Sequence, residues 1–546
     1  MKNNTFKITG KIVDVVSGRI FPGIIQVEQG RIVSVSEDAS CEGPYVLPGL
    51  VDAHVHIESS MLVPAEFARI AVTHGTVATV SDPHEIANVL GIEGVEFMIK
   101  NGSQVPFKFF FGAPSCVPAT GFETSGAVLG VAELDALMAR QEIKYMAEMM
   151  NWPGVIFGNP EVEAKLALAR KYDKPVDGHA PGLTGEYARK YAEAGISTDH
   201  ECFNLDEARE KLHLGMKVLI REGSAARNFD ELLPLIKEFP AQIMFCSDDK
   251  HPDELVQGHV NLLVKRAIAA GHHPIDVLRC CTLNPNEHYR LGLGMLQPGD
   301  SADFILVDDL QQFNILSTYI EGTLVAQDGK SMIEGKRSEK PNRFSVMDIG
   351  IDDLKVKDHG KPVKIIKAIE GQLITDTIIG RPKSVDGYLE SDTEKDFLKI
   401  VVLNRFEPAL PAVGFIHGFG LKRGAIASTV AHDSHNIIAC GTSDMEIMNA
   451  IGKLIESQGG ITATDENRAL ILPLPVAGLM SDDDGFVVAD RYEKANAFVA
   501  ALGSSMQAPF MTLSFMALLV IPQLKISDKG LFDGQKFEFT SLEAEA

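Results

Sequence analysis

The 546-residue sequence has no surplus of positive charge, no apolar run long enough to cross a bilayer, and no CxxC cysteine pair. Its 51 Lys and Arg against 74 Asp and Glu leave a net charge of −23, which repels phosphate backbones and anionic lipid and argues against a nucleic-acid-binding role. The longest strongly apolar stretch near a terminus, Met511 to Leu524, is interrupted by Thr512, Ser514, Pro522 and Gln523. It falls short of the roughly 20 residues that a membrane span needs, so it reads as buried core and no membrane partner is expected. Residues Met1 to Lys11 contain neither an apolar signal core nor a small-residue cleavage site, and a cytoplasmic location is the expectation. The seven cysteines form no CxxC pair, which suits a reducing compartment and excludes a disulfide framework or a structural zinc knuckle. A P-loop is absent too, because Gly418-Phe419-Gly420 lacks the Lys-Ser/Thr and the strand-turn-helix setting.

What is present is an ordinary globular composition, 45% hydrophobic and 23% charged, in a chain long enough for about three or four domains. Phe6 to Val46 alternates apolar and polar residues between glycines, the pattern of short strands. Then come apolar runs, each followed by a helical stretch: Val46–Val55, Thr76–Val80, Val105–Phe111, Ile143–Met149, Pro175–Gly178, Ile196–Asp199, Lys217–Ile220 and Gln242–Cys246. Eight such units in about 250 residues predict a (β/α)8 barrel. Short strands return from Met295 to Gln327, and the charged stretch Glu334 to Arg343 reads as a linker. The fold class expected is therefore α/β: a (β/α)8 barrel (49–291), a small β-sandwich module formed by segments before and after it (1–48 with 292–335), and a C-terminal α+β domain (344–546).

Catalytic groups of such barrels sit at the C-terminal ends of the strands, and here those ends carry metal-ligating residue types. The first run ends in Asp52-Ala53-His54-Val55-His56, where strand alternation points both imidazoles inward. The fourth ends at Glu148, the fifth at His179, the sixth at His200 and the eighth at Asp248. Together these suffice for two divalent cations, with Glu148 placed to bridge them. Imidazole plus carboxylate suits zinc, iron and manganese alike.

The motifs PGLVDAHVHIESSML (48–62), SDPHEIANV (81–89), GHAPGL (178–183), SDDKHPDEL (247–255) and GFGLKRGAIASTVAHDSHNI (418–437) resemble the bacterial adenine deaminase family of the amidohydrolase superfamily. The resemblance implies hydrolytic deamination of free adenine to hypoxanthine and ammonia in purine salvage, with Mn2+ in a binuclear centre and Fe2+ or Zn2+ as other occupants. Metal coordination lowers the pKa of bound water towards about 7, and Asp248 is the expected general base, with Glu148 or Asp249 protonating the ring. One departure from the superfamily's commoner pattern is Glu148 at the bridge in place of a lysine. Lys144, four residues earlier, lies roughly 13 Å deeper in the barrel. Nucleobase deaminases of the zinc type need PCxxC, which does not occur.

Further candidates carry two readings each. Glu58 and Ser59 line the substrate pocket, or the serines cap the next helix. Asp82, His84 and Glu85 join the site or an auxiliary metal, or Asp82-Pro83 is plain turn chemistry. Arg221 and Ser224 bind a purine edge, or Arg221 and Glu222 form a buried pair. His432 and His435 lean over the barrel mouth, or belong to a surface turn. His251, His272 and His273 read as surface or helix-end residues. The competing functions are a cyclic amide hydrolase of the hydantoinase or dihydropyrimidinase kind and a catalytically silent scaffold; a homo-oligomer, by default a dimer, is expected.

Overall fold

Eight short segments pair side by side in parallel: β1 (Leu50–Val55), β2 (Thr76–Ser81), β3 (Lys108–Ala113), β4 (Ile143–Met149), β5 (Val176–Gly178), β6 (Thr198–Asp199), β7 (Lys217–Arg221) and β8 (Ile243–Cys246). The computed structural model from which they are read describes residues 5–224, 226–370 and 372–544. β1 to β5 and β6 to β8 are each hydrogen-bonded in order. The bridge Val176↔Ile196 joins the two groups and Val55↔Asp248 closes the ring. Closure is by backbone bonds at both seams: Ser197 N–H donates to Val176 O at 2.9 Å, and Asp248 N–H to His54 O at 3.0 Å. Strand β8, Ile-Met-Phe-Cys, is buried along its whole length, which is why its sequence runs apolar without alternation: one face packs in the barrel and the other against helices.

A second sheet of eight strands runs from Lys330–Ser331 through Thr323–Gln327, Ile315–Ile320, Phe304–Val307, Tyr45–Pro48 and Thr5–Asp14 to Arg19–Glu28 and Arg31–Glu37. Segments on both sides of the barrel thus share one sheet, and it curls around Ile12, Val27, Val46 and Phe304. Tyr45–Pro48 leads straight into β1 through Gly49, where a side chain would stand 2.4 Å from Val77. Only glycine allows that approach.

Beyond residue 344 the chain builds another eight-stranded sheet, centred on Leu398–Leu403, Ala412–His417, Ile437–Gly441 and Ala425–Ser428, with helices Asp444–Ser457 and Gly485–Ala501. Asn404 and Arg405 on the loop after Leu398–Leu403 are buried. The apolar stretch read as core is indeed buried; it forms the helix Pro509–Ser514 and the turn Phe515–Ala517 and lies over the mouth of the barrel. No helix among the described residues is long and apolar enough to cross a membrane.

Lys525 supports that roof from within, donating Nζ hydrogen bonds to Leu373 O at 2.6 Å and Phe515 O at 2.9 Å. Burial pushes its ammonium down to about 7. The unfolded lysine keeps its proton to about 10.4, so between about pH 7 and 10 the unfolded state binds more protons and this residue's contribution to stability rises with pH. The stability difference between wild type and Lys525→Met, followed as thermal midpoints from pH 7 to 10, is expected to move in favour of the wild type as pH rises. A difference independent of pH would mean that the folded lysine stays charged.

Candidate functional site

Glu148, the penultimate residue of β4, is a buried carboxylate surrounded by four imidazoles. Its Oε1 lies 3.6 Å from His56 Nε2 and 3.4 Å from His84 Nδ1. Its Oε2 lies 2.8 Å from His179 Nδ1 and 3.2 Å from His200 Nε2. Asp248, just past β8, completes the other side, with Oδ1 at 3.3 Å from His56 Nε2 and 3.8 Å from His54 Nε2. The six residues that strand ends single out in the sequence thus converge, His54, His56 and Asp248 forming one potential ligand set and His54, Glu148 and His200 another.

The ring nitrogens show what such a cluster is built to hold. His56 donates Nδ1–H to Asp82 O at 3.1 Å, which aims its Nε2 into the cluster. Burial, then the neighbouring His200 and His56, hold the His54 ring well below its ordinary pKa and therefore neutral. His54 Nδ1 is without a hydrogen bond and faces Asp177 Oδ2 at 4.0 Å. With its proton there, its Nε2 presents a lone pair, 3.1 Å from His56 Nε2. Nitrogens this close beside two carboxylates call for a shared cation, proton or metal, among them. The donor set therefore fits divalent metal.

Arg221, closing β7, neutralises the far side of Asp248. Its guanidinium donates to Asp248 Oδ2 at 2.6 Å and grips Glu201 with both terminal nitrogens, NH2 to Oε2 at 2.8 Å. Burial would raise the Asp248 carboxyl, but Arg221, His56 and His200 outweigh it and hold it well below the usual carboxylate range. Asp249 lines the same cavity, with its Oδ1 accepting from Ser59 Oγ at 2.5 Å. Burial and the neighbouring Asp248 charge push its carboxyl up.

Asp82 plays both parts weighed for it. Its Oδ1 accepts the His84 N–H at 3.1 Å at the head of the helix His84–Leu90, and its Oδ2 accepts the Glu148 N–H at 3.3 Å. Glu58 accepts the Ile86 N–H at 3.1 Å; burial pushes it up to about 7, but it does not line the cavity. Ser59 and Ser60 cap no helix: the following helix has Val63 at its N-cap, and Ser60 Oγ bonds Ile57 O at 2.5 Å. Glu85 meets His432 and His435 across the domain boundary, so that turn is interior and not a surface feature. Ser224 lies outside the lining and bonds Glu254 Oε2 at 3.0 Å. Glu222 faces outward to Arg266 at 2.5 Å. His251, read as a surface or helix-end residue, is at a helix end and buried, with its ring edge-on to Tyr492 at 4.8 Å.

Several contributors were absent from the sequence reading. Glu201 directly follows His200 and is signalled by that adjacency, and Asp177 shares a strand face with His179 by alternation. Met150, Phe515, Leu518 and Val520 also line the cavity, but apolar residues carry no local mark of a site. The cavity measures about 30 Å³. A larger one of about 1010 Å³ adjoins it, and Met150 and Val520 line both.

Comparison with known proteins follows this geometry. The family described as "Amidohydrolase family" matches residues 45–325, and "Adenine deaminase C-terminal domain" matches residues 372–538. Curated relatives named adenine deaminase are similar along the whole chain. The protein of Salinibacter ruber is 53% identical over 537 residues, covering 98% of each chain. That of Sulfurovum sp. is 54% identical over 529 residues, covering 96% of this chain and 98% of its own. That of Methanosarcina mazei is 52% identical over 552 residues, covering 99% and 100%.

Removing one imidazole from the cluster tests its reading as a metal site. His54→Ala or His200→Ala is expected to lower the divalent metal retained per chain after dialysis, measured by plasma emission spectroscopy. Undiminished metal in both variants would contradict that reading.

Proposed function

Because the chain belongs to the adenine deaminase family of the amidohydrolases, we propose that the Glu148–Asp248 cluster hydrolyses free adenine at C6, giving hypoxanthine and ammonia. The observation that carries this reading is the convergence of four imidazoles on the Glu148 carboxylate, with Asp248 opposite and anchored by Arg221. His54, His56, Glu148, His179, His200 and Asp248 are the residues that would hold the metal. Bound divalent cations supply Lewis acidity, which makes water a competent nucleophile near neutral pH. Manganese is the proposed ion, and iron or zinc suits the same donors.

The protein's own groups manage the protons. Asp248, fixed through Oδ2 by Arg221, presents Oδ1 to the centre of the cluster and takes a proton from the attacking water. That proton passes to the exocyclic nitrogen, which leaves as ammonia when the C6–N bond breaks. Asp249 is better placed than Glu148 to serve a ring nitrogen, since both Glu148 oxygens are engaged by imidazoles and Asp249 has one oxygen held by Ser59. A purine arriving from the larger cavity passes between Met150 and Val520. The cyclic amide hydrolase reading calls for a bridging lysine, a position filled by Glu148, and the scaffold reading calls for lost ligands. We further propose a cytoplasmic location, supported by the reducing-compartment cysteine pattern, a homodimer as the commonest symmetric assembly, and a role in purine salvage that follows from adenine as substrate.

The Mn2+-loaded protein is expected to release ammonia from adenine, and not from adenosine, AMP or hydantoin. Asp248→Asn should lower turnover by about 10²- to 10⁴-fold. Opening of hydantoin with adenine inert would overturn the substrate, and full activity of Asp248→Asn would remove the proposed base.

A further inference from the structure

Glu85 stands at the head of the helix His84–Leu90 with both carboxylate oxygens committed to the C-terminal domain. Its Oε1 accepts from His432 Nδ1 at 2.5 Å and its Oε2 accepts from His435 Nε2. The three side chains are close enough to form a potential ligand set, yet the tautomer of His435 opposes a cation there. His435 Nδ1 accepts the Ala431 N–H at 3.2 Å, so that nitrogen is unprotonated and the ring's proton is on Nε2, where it goes to Glu85. No lone pair is left for a metal. His435 itself is fixed by Arg405, whose Nε donates to His435 O at 2.5 Å. The triad is a hydrogen-bonded clamp between the domains.

His432 has a capacity that His435 lacks. Its Nδ1–H is given to Glu85, and its ring stacks on Phe515 with centroids 4.9 Å apart and planes at 21°. It lines the same cavity as His56, Glu148 and Asp249, and its Nε2 has no hydrogen-bond partner among the described residues. Burial alone would discharge this ring, but Glu85, with Asp249 and Asp433, holds it protonated, raised to about 9. A ring N–H that faces a cavity without a protein acceptor is free to donate to a ligand there.

Building on the adenine reading above, we propose that His432 is a catalytic residue supplied by the C-terminal domain: its Nε2–H donates a hydrogen bond to a ring nitrogen of the bound purine. Attack at C6 drives electron density onto the ring nitrogens, so a donor fixed in advance by Glu85 and Phe515 stabilises the transition state more than the substrate. The role also explains why a barrel with a complete cluster carries a second large domain: the purine is held between the two.

The test pairs the side chain with the ligand atom it is said to touch. Adenine and its 1-, 3- and 7-deaza analogues, each lacking one ring nitrogen, are compared as ligands of the Mn2+-loaded wild type and His432→Ala by inhibition constants and calorimetry. In the wild type, one analogue is expected to bind about tenfold or more weakly than adenine; in His432→Ala that penalty disappears while metal per chain is unchanged. Should His432→Ala not fold, Glu85→Gln is measured in the same way, and the same penalty should shrink as the ring loses its anchoring charge. An unchanged penalty in the variant, no penalty for any analogue in the wild type, or loss of metal from His432→Ala would overturn the proposal. So would loss of metal from His435→Gln, which would make the triad a cation site. Failure of the wild type to deaminate adenine removes the underlying function instead, and is read separately from the analogue comparison.

Discussion

A buried carboxylate encircled by imidazoles is the constraint on which the rest of this molecule depends. Glu148 is taken out of water with Asp248 nearby, and two such charges in a low-dielectric interior are costly unless compensated. Compensation comes from every side of the barrel: His54 and His56 from β1, His179 after β5, His200 after β6 and Arg221 from β7. Eight strands tilted around a common axis bring side chains from residues 54 to 248 into one cluster, and no single helix or hairpin does that. The barrel also holds the cluster's own supports: the Asp82 carbonyl accepts from His56, and the Asp177 carboxylate stands beside His54.

The C-terminal domain is tied into this centre by polar contacts as well as by packing. Glu85 reaches across to His432 and His435, and the roof segment Pro509–Ala517 sets Phe515 against the His432 ring. Both domains therefore line one cavity. Separating them would break the hydrogen bonds of Glu85 with both His432 and His435.

Parts of this arrangement were legible in the sequence because they are local. The eight apolar runs stand where the parallel strands are, and the alternation in Asp52-Ala53-His54-Val55-His56 places two imidazoles on one face. Glu148, His179, His200 and Asp248 were marked by closing a run. What stayed hidden is long-range or apolar. Glu85 and His432 lie 347 positions apart, and no periodicity links them. Phe515 and Leu518 roof a catalytic cavity, but in sequence they are indistinguishable from core. Ser224 was singled out because it follows a strand end, yet the chain turns after Glu222 and directs it to Glu254. His251 was read as an ordinary helix-end residue; its burial follows from Tyr492, on a helix of the other domain.

The cluster around Glu148 has the donors of a cation site, whereas the neighbouring Glu85 triad is a hydrogen-bonded clamp. Anomalous diffraction at the manganese edge, from crystals of the full chain grown with Mn2+, separates the two. Peaks are expected beside Glu148, among His54, His56, His179, His200 and Asp248, and none between Glu85, His432 and His435. A peak at the triad, or no peak at Glu148, would contradict this assignment.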